Sequence, residues 1–267
     1  MPWTSEHIEH AAQTLMEQHQ QGLRFDGLKE PAPLTDAATA YAIQQAFVAR
    51  KSQELSTQPA GYKIALTTPA MRSLVGYADS ISGRVLASQI YPDAAHIQAR
   101  HHGRLAVEFE IAFLMQADLP TRSEPWGREI AEFVLRAHPA LELVDDRNAD
   151  YAALPHHILT LIADNAWNAG LVVGPALSGW DLQDLDRIEG VARIDGQEVG
   201  RGYGRDVLGH PLDALAWLAN HLNDYGCSLR GGDWVTTGSL VKTQFPLAPC
   251  EVTLHLGENA RVSARLV

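Results

Sequence analysis

The stretch Ala106–Met115 reads AVEFEIAFLM and has the alternating pattern of a β-strand. Successive side chains on a strand point to opposite faces, so Glu108 and Glu110 share one face while Phe109 and Ile111 share the other. The glutamate face turns apolar two residues further on. Burying two carboxylates without a cation costs on the order of several kcal/mol each. The segment therefore predicts either an amphipathic strand with two exposed glutamates or a buried pair that converges on one ion.

A second acidic position interrupts the apolar segment Ala140–Val144, which also reads as a strand. Its glutamate, Glu142, adds a third carboxylate. Three carboxylates and water form an all-oxygen shell that suits Mg²⁺ or Mn²⁺ better than Zn²⁺ or Cu²⁺. The alternative from these residues is that Glu142 forms an ion pair with Arg147 or Arg104.

One lysine, Lys63, lies inside a short apolar strand pattern over Tyr62–Leu66. Lysine is rarely buried without a partner. Lys63 is therefore expected either to extend its ammonium to the surface, which is the commoner outcome, or to face carboxylates or an anionic ligand.

The order of the elements predicts an α+β fold. Two helical patterns occupy the first sixty residues, and the second begins at Asp36. The rest of the chain predicts strands with interspersed helices, including a helix over residues 130–137. Asp195-Gly196, between two strand patterns, indicates a two-residue hairpin turn.

Composition excludes several classes of protein. Of the 267 residues, 46% are hydrophobic and 20% are charged, which is typical of globular chains and not of disordered ones. No run approaches the roughly 18 apolar residues of a membrane span, and the first residues lack the pattern of a signal peptide. A formal net charge of −11 disfavours nucleic acid as a partner. The chain has only two cysteines, Cys227 and Cys250, and this small number favours a reducing compartment. We therefore expect a cytoplasmic protein without a membrane or nucleic-acid partner.

Six segments, in this order along the chain, resemble motifs of one enzyme family: Gly61–Thr67, Val107–Phe113, Leu141–Asp145, Ala163–Ala166, Leu208–Asn220 and Gly232–Leu240. The resemblance is to the 2-keto-4-pentenoate hydratase / 4-oxalocrotonate decarboxylase branch of the fumarylacetoacetate hydrolase superfamily, and it covers nearly the whole chain. It implies a mixed β-roll or sandwich core of the fumarylacetoacetase C-terminal type over residues 61–267, preceded by an N-terminal helical region over residues 1–60. It also implies a homo-oligomer.

The function implied by the resemblance is that of a Mg²⁺-dependent (or Mn²⁺-dependent) lyase. Such an enzyme acts as a hydratase on a small 2-oxo or 2-hydroxy-dienoate acid, such as 2-keto-4-pentenoate, in the degradation of aromatic compounds. The resemblance implies these roles: metal ligands Glu108, Glu110 and Glu142; catalytic residues Lys63 and Asp79; substrate-binding residues Leu66, Gly238 and Ser239.

Two departures from the family pattern concern the reaction itself. Family hydratases have an aspartate in a Pro-Asp-Tyr/Phe-Gly segment, whereas this chain has DSISGRV over residues 79–85, so Asp79 takes that role only if the loop shifts. Trp167 and Asn168 stand where the family has serines.

Three alternative functions remain: a 4-oxalocrotonate-type decarboxylase, an acylpyruvate C–C hydrolase and a non-catalytic 2-oxo acid binding protein. Branches that hydrolyse carbon–carbon bonds usually have aspartate at the position of Glu142, so the glutamate favours the hydratase branch.

Overall fold

A computed structural model describes residues 3–29 and 32–267 of the chain. The α-helices are α1 (Ser5–Gln20), α2 (Ala37–Glu54), α3 (Pro69–Val75), α4 (Ile158–Ala163) and α5 (Pro211–Asp224). The strands are β1 (Pro59–Ala65), β2 (Ile81–Leu86), β3 (Ile90–Pro92), β4 (Ala95–Ile97), β5 (Leu105–Met115), β6 (Val134–Asp145), β7 (Asn168–Val173), β8 (Glu189–Ile194), β9 (Gln197–Tyr203), β10 (Trp234–Ser239), β11 (Cys250–Leu256) and β12 (Ala260–Leu266). This mixture of helices and strands confirms the predicted α+β class.

The strands form two mixed sheets that do not close on themselves. One has seven strands in the order β2-β1-β10-β5-β6-β7-β3, and the other has five in the order β4-β12-β11-β8-β9. Phe109 of β5 and Leu141 of β6 pack in one apolar cluster with Val252 of β11 and Val262 of β12. One face of β5 and β6 is therefore buried against the second sheet. Because side chains alternate along a strand, the intervening residues point to the other face.

The hairpin predicted at Asp195-Gly196 is confirmed. These residues connect β8 to β9, and their φ angles are +48° and +78°. Two consecutive positive φ values define the two-residue turn whose twist matches that of the flanking strands, and aspartate followed by glycine adopts it readily.

The helix predicted over residues 130–137 is wrong. A short 3₁₀ turn ends at Phe133, and Val134 then begins strand β6. The first residues of β6 pair only with β5, and a register shift between Val134 and Arg136 breaks the strict alternation of the strand. Val134 and Ala137 are therefore both buried although they lie three residues apart, a spacing that also fits a helix. Pro139 is tolerated in β6 because the last pair with β7 joins Ala140 to Val173, so β7 does not pair with it.

Helix α2 begins at the expected position, and both N-terminal helices pack on the sheet core. The Asp36 side chain caps α2 by accepting a hydrogen bond from the Thr39 amide at 2.8 Å. Leu15 of α1 and Phe47 of α2 are fully buried in one cluster with Ile81 of β2. The division of the chain at residue 60 stays a prediction.

A buried ion network ties α1 to the segment that follows α4. The Asp164 carboxylate is fully buried; it lies 2.5 Å from His19 Nε2 and 2.5 Å from Arg147 Nη2. Burial alone would raise the pKa of Asp164, but the charges of His19 and Arg147 lower it below its ordinary value. Arg147 also donates to the Leu23 carbonyl, so the network holds the chain on both sides of α1's end.

Replacing Asp164 with asparagine is expected to destabilise the protein by about 3–5 kcal/mol, because Arg147 would remain buried without a counter-charge. Because the folded-state pKa of Asp164 lies below its ordinary value of 3.8, this stabilisation is present above that pH and is lost as pH falls through the folded-state pKa. Urea unfolding at neutral and acidic pH measures both effects. Asp184→Asn breaks an exposed pair with Arg187 and is the matched control. If both variants lost the same free energy of unfolding, the buried network around Asp164 would not stabilise the protein as described.

Among the described residues, no helix has the length and apolar character needed to cross a membrane.

Candidate metal centre

Three glutamates converge on the face of the large sheet that points away from the second sheet. Glu108 and Glu110 come from β5, and the register of β5 with β6 places Glu142 directly opposite Glu108. The three residues each offer a carboxylate oxygen, and these oxygens lie within 4.8 Å of one another. Glu110 and Glu142 are fully buried and Glu108 is half-buried. Like charges directly opposite each other destabilise a sheet, so the arrangement requires a compensating positive charge.

Part of that positive charge comes from Lys63 on β1. Its ammonium lies 3.0 Å from Glu142 Oε1, and only 2% of the residue is exposed. Burial opposes the charged form, but the negative charges of Glu142 and Glu108 outweigh it and raise the pKa of Lys63 above its ordinary value. Of the two alternatives for Lys63, the structure excludes extension to the surface and shows the ammonium facing carboxylates. One ammonium leaves two negative charges uncompensated when the three glutamates are ionised.

The alternative partners considered for Glu142 are occupied elsewhere. Arg104 forms an ion pair with Asp146, and Arg147 forms one with Asp164. An ion pair between Glu142 and either arginine is therefore excluded as the explanation for a buried carboxylate in β6.

Two buried carboxylate oxygens of the cluster lack a hydrogen-bond partner in the described chain: Glu110 Oε1 and Glu142 Oε2. Burial raises the pKa of Glu110 well above its ordinary value, and the charges of Glu142 and Glu108 add to the shift. Burial also raises the pKa of Glu142, although Lys63 opposes that shift. Unpartnered oxygens, a deficit of two positive charges and an all-carboxylate donor set fit a hard divalent cation such as Mg²⁺ or Mn²⁺.

Besides the Lys63 ammonium on Glu142, each of the three carboxylates accepts a hydrogen bond from one uncharged donor. The Gly238 amide donates to Glu110 Oε2 at 2.7 Å, and Thr243 Oγ1 donates to Glu108 Oε1 at 2.6 Å. Asn168 Nδ2 donates to Glu142 Oε1 at 3.0 Å. Such supporting donors hold metal-binding side chains in position. Sequence reasoning did not find Thr243, which lies in an irregular loop after β10, and found Asn168 only as a departure from the family pattern.

Gly238 occupies a position that only glycine fits. Its φ is +104°, and a Cβ added there would lie 2.3 Å from Thr67 Oγ1. Its neighbour Ser239 accepts a hydrogen bond from the Phe109 amide at 2.9 Å through Oγ. Both residues thus contact β5 beside the glutamates. Their predicted contact with a substrate carboxylate stays a prediction.

The remaining two predicted site residues lie on the chain that follows β1. Leu66 is buried with φ +61°, and its carbonyl accepts from Ser80 Oγ at 3.3 Å. Asp79 is exposed; its Oδ1 accepts from Trp217 Nε1 at 2.9 Å and from the Ser80 amide at 2.7 Å. No hydrogen bond or ion pair in the described chain joins Asp79 to the glutamates. The structure therefore groups Lys63 with the carboxylates and does not bring Asp79 into direct contact with them.

A strained backbone segment leads into Asn168. Asn165, Ala166 and Trp167 have φ values of +54°, +47° and +59°, three consecutive non-glycine residues in the left-handed region. Each costs roughly 1–2 kcal/mol. The Asn165 side chain compensates by pairing with the Arg84 backbone, accepting from its amide at 2.6 Å and donating to its carbonyl at 2.8 Å. Strain of this kind is concentrated at functional sites.

Comparisons with known proteins relate this chain to one family and one fold. The model of the fumarylacetoacetate (FAA) hydrolase C-terminal family matches residues 77–266. A 2-keto-4-pentenoate hydratase of Paraburkholderia phymatum is 33% identical over 240 residues, which cover 87% of each chain. A 4-oxalocrotonate decarboxylase of Pseudomonas putida is 27% identical over 265 residues, covering 98% of this chain and 95% of the relative. The solved structure of 4-oxalocrotonate decarboxylase from Pseudomonas putida G7, complexed with calcium and acetate, superposes with a TM-score of 0.88 at 24% identity and covers 100% of this chain and 99% of that one, which shows a shared fold.

Proposed function

The chain belongs to the fumarylacetoacetate hydrolase C-terminal family, and from that premise we propose that it is a divalent-metal-dependent lyase, a hydratase that adds water to a small 2-oxo or 2-hydroxy-dienoate acid such as 2-keto-4-pentenoate. The observation that carries the proposal is the cluster of three converging carboxylates beside one buried lysine. The fold does not need this cluster for stability. Burying the three carboxylates and the lysine costs free energy until a cation and an anionic ligand complete the site.

The residues divide into those that hold the cation and those that hold the ligand. Glu108, Glu110 and Glu142 would bind Mg²⁺ or Mn²⁺. When bound, the cation acts as a Lewis acid that stabilises negative charge developing on the oxygens of the acid. Gly238 and Thr243 keep two of the carboxylates in position by hydrogen bonds. A preformed cluster of this kind reduces the reorganisation needed when the ligand arrives.

Lys63 would hold the anionic head of the substrate. Its raised pKa keeps the proton on Nζ at neutral pH, and an ammonium is a donor without acceptor capacity. These properties favour an anion-holding role over that of a general base. Proton transfer to or from carbon then needs another group, and Asp79 remains the predicted acid-base residue.

A decarboxylase of the 4-oxalocrotonate type is the second candidate, because a relative with that name aligns over nearly the whole chain. Water addition and decarboxylation share an enolate-like species, so the cluster and Lys63 serve either reaction. The groups that choose between them are the acid-base residue and the side chains at Trp167 and Asn168, where this chain departs from the family pattern.

Turnover assays with three acids test the proposal: the 2-hydroxy-dienoate form of 2-keto-4-pentenoate, 4-oxalocrotonate and an acylpyruvate, each with Mg²⁺, Mn²⁺ or EDTA. We expect loss of the diene absorbance for the first acid, a product heavier by one water, and no reaction in EDTA. Release of CO₂ from 4-oxalocrotonate alone would assign the decarboxylase, and cleavage of the acylpyruvate would assign the C–C hydrolase. Binding of oxalate without turnover of any acid would assign a binding protein.

Self-association and a cytoplasmic location, both expected from the sequence, stay predictions. Light scattering coupled to size-exclusion chromatography measures the first.

A further inference from the structure

The carboxamide of Asn168 is buried beside the metal-binding cluster, and only one of its two polar atoms forms a hydrogen bond. The residue is 4% exposed, and its Nδ2 donates to Glu142 Oε1 at 3.0 Å. Its Oδ1 is buried and accepts no hydrogen bond in the described chain. The orientation follows from chemistry, because Glu142 Oε1 already accepts from the Lys63 ammonium at 3.0 Å and the amide nitrogen, as the donor, must therefore face it. The amide oxygen is therefore the atom without a hydrogen-bond partner in the described chain.

The backbone holds this side chain in place. Asn168 begins β7 directly after the left-handed residues, and the Trp167 amide donates to the Asp164 carbonyl at 3.1 Å. The Asp164 carboxylate is in turn held by His19 and Arg147. Phe25 packs edge-on against the Trp167 ring at 4.9 Å. These contacts fix the backbone from which the Asn168 side chain reaches Glu142.

The protein groups next to Asn168 do not supply a donor for its Oδ1. When the three glutamates bind a cation, they are ionised and act only as acceptors, and the Lys63 ammonium lies against Glu142 Oε1. A buried acceptor left without a donor is costly, and native proteins rarely retain one unless a ligand or water satisfies it. A bound ligand that carries a hydrogen-bond donor would satisfy this acceptor.

We propose that Asn168 Oδ1 accepts a hydrogen bond from a hydroxyl group of the bound acid. This inference rests on the proposed function and deepens it: the site selects acids that carry a hydroxyl beside the carboxylate, the 2-hydroxy (enol) form of the substrate, over acids that present only carbonyl or carboxylate oxygens. Asn168 then bridges Glu142 and the ligand, with one amide atom on each.

Two small probes separate this role from metal binding alone. Glycolate presents a carboxylate and an adjacent hydroxyl, whereas oxalate presents two carboxylates and no donor. Calorimetry on the Mg²⁺-loaded protein gives both dissociation constants. Asn168→Leu keeps the branched shape and removes both the acceptor and the donor to Glu142. In this variant glycolate affinity should fall about tenfold more than oxalate affinity, as expected for one unsatisfied hydrogen bond. Asn168→Ser, whose hydroxyl is shorter and can still accept, should lose less of the preference.

Thr243→Val is the matched control, because it also removes one donor from a metal-binding glutamate and leaves Asn168 intact. It should weaken both probes equally. An unchanged glycolate-to-oxalate ratio in folded Asn168→Leu and Asn168→Ser, with melting temperatures near that of the unsubstituted protein, would overturn the inference and leave Asn168 as a support for Glu142 or a ligand of water. Failure of the unsubstituted Mg²⁺-loaded protein to bind either probe would overturn the proposed function itself.

Discussion

Replacing Glu110 with glutamine should abolish Mg²⁺ binding and, at the same time, make the metal-free protein more stable. Glu110 is fully buried, and burial together with the charges of Glu142 and Glu108 raises the pKa of its carboxyl. Glutamine keeps an oxygen that can accept from the Gly238 amide and replaces the unpartnered oxygen with a donor that faces acceptors. Removing one of three mutually repelling charges should stabilise the metal-free protein by about 1 kcal/mol, or ~2–4 °C in melting temperature.

The same change removes a metal ligand. Mg²⁺ affinity should fall by at least ~100-fold, turnover by on the order of 10³-fold, and the rise in melting temperature that Mg²⁺ produces should disappear. Calorimetry and thermal melts with and without Mg²⁺ measure the three effects. Glu251→Gln, which breaks a partly exposed pair with Arg261, serves as the control and should change none of them. Mg²⁺ binding that persists unchanged in Glu110→Gln would show that the carboxylate cluster is not the metal site.

Lys63→Met should produce the second large effect, a loss of anion binding without a loss of metal binding. Methionine retains the apolar stem and removes the ammonium that faces the cluster, so Glu142 keeps its hydrogen bond from Asn168 and loses its ion pair. Affinity for oxalate in the Mg²⁺-loaded protein should fall by about 10- to 100-fold, the range for a charge-assisted hydrogen bond, and turnover by roughly 10²- to 10⁴-fold. Mg²⁺ affinity should stay within a few fold, because the cation then compensates the freed charge.

Two further variants serve as controls for the result with Lys63→Met. Lys63→Arg retains the charge and should restore oxalate binding only partly, because a planar guanidinium does not match the place of a compact ammonium. Lys242→Met removes an exposed lysine from the loop that carries Thr243 and should leave oxalate binding unchanged. Oxalate affinity that survives in Lys63→Met would confine the lysine to a structural ion pair with Glu142. A fall in Lys242→Met of the same size would indicate a general effect of net charge.

Several features of this protein follow from local rules. The two-residue period of a strand is sufficient to place Glu108 and Glu110 on one face, because it depends only on backbone geometry. The Asp195-Gly196 turn and the Asp36 cap are equally local, since each satisfies the backbone of residues within a few positions of itself. The residue types alone also restrict the metal to a hard cation, because carboxylates offer only oxygen ligands.

The sequence left open whether these carboxylates are exposed or convergent. That outcome depends on the register that sets Glu142 opposite Glu108 and on the insertion of β10 between β1 and β5, which brings Lys63 to the same face from far along the chain. The wrongly predicted helix over residues 130–137 has the same origin, because the pairing of residues 134–137 with β5, and not their own spacing, makes them part of a strand.

The sequence alone determined the chemistry that the chain can offer: three carboxylates, one lysine and the strands that carry them. The tertiary structure alone decided which atoms meet, including the donors from Thr243 and Asn168 and the free oxygen of the Asn168 amide. The physical reason is that strand alternation and capping act over a few residues. The pairing of distant strands, and the left-handed turn held by Asp164, are set by contacts between segments far apart in the chain, which local patterns do not encode.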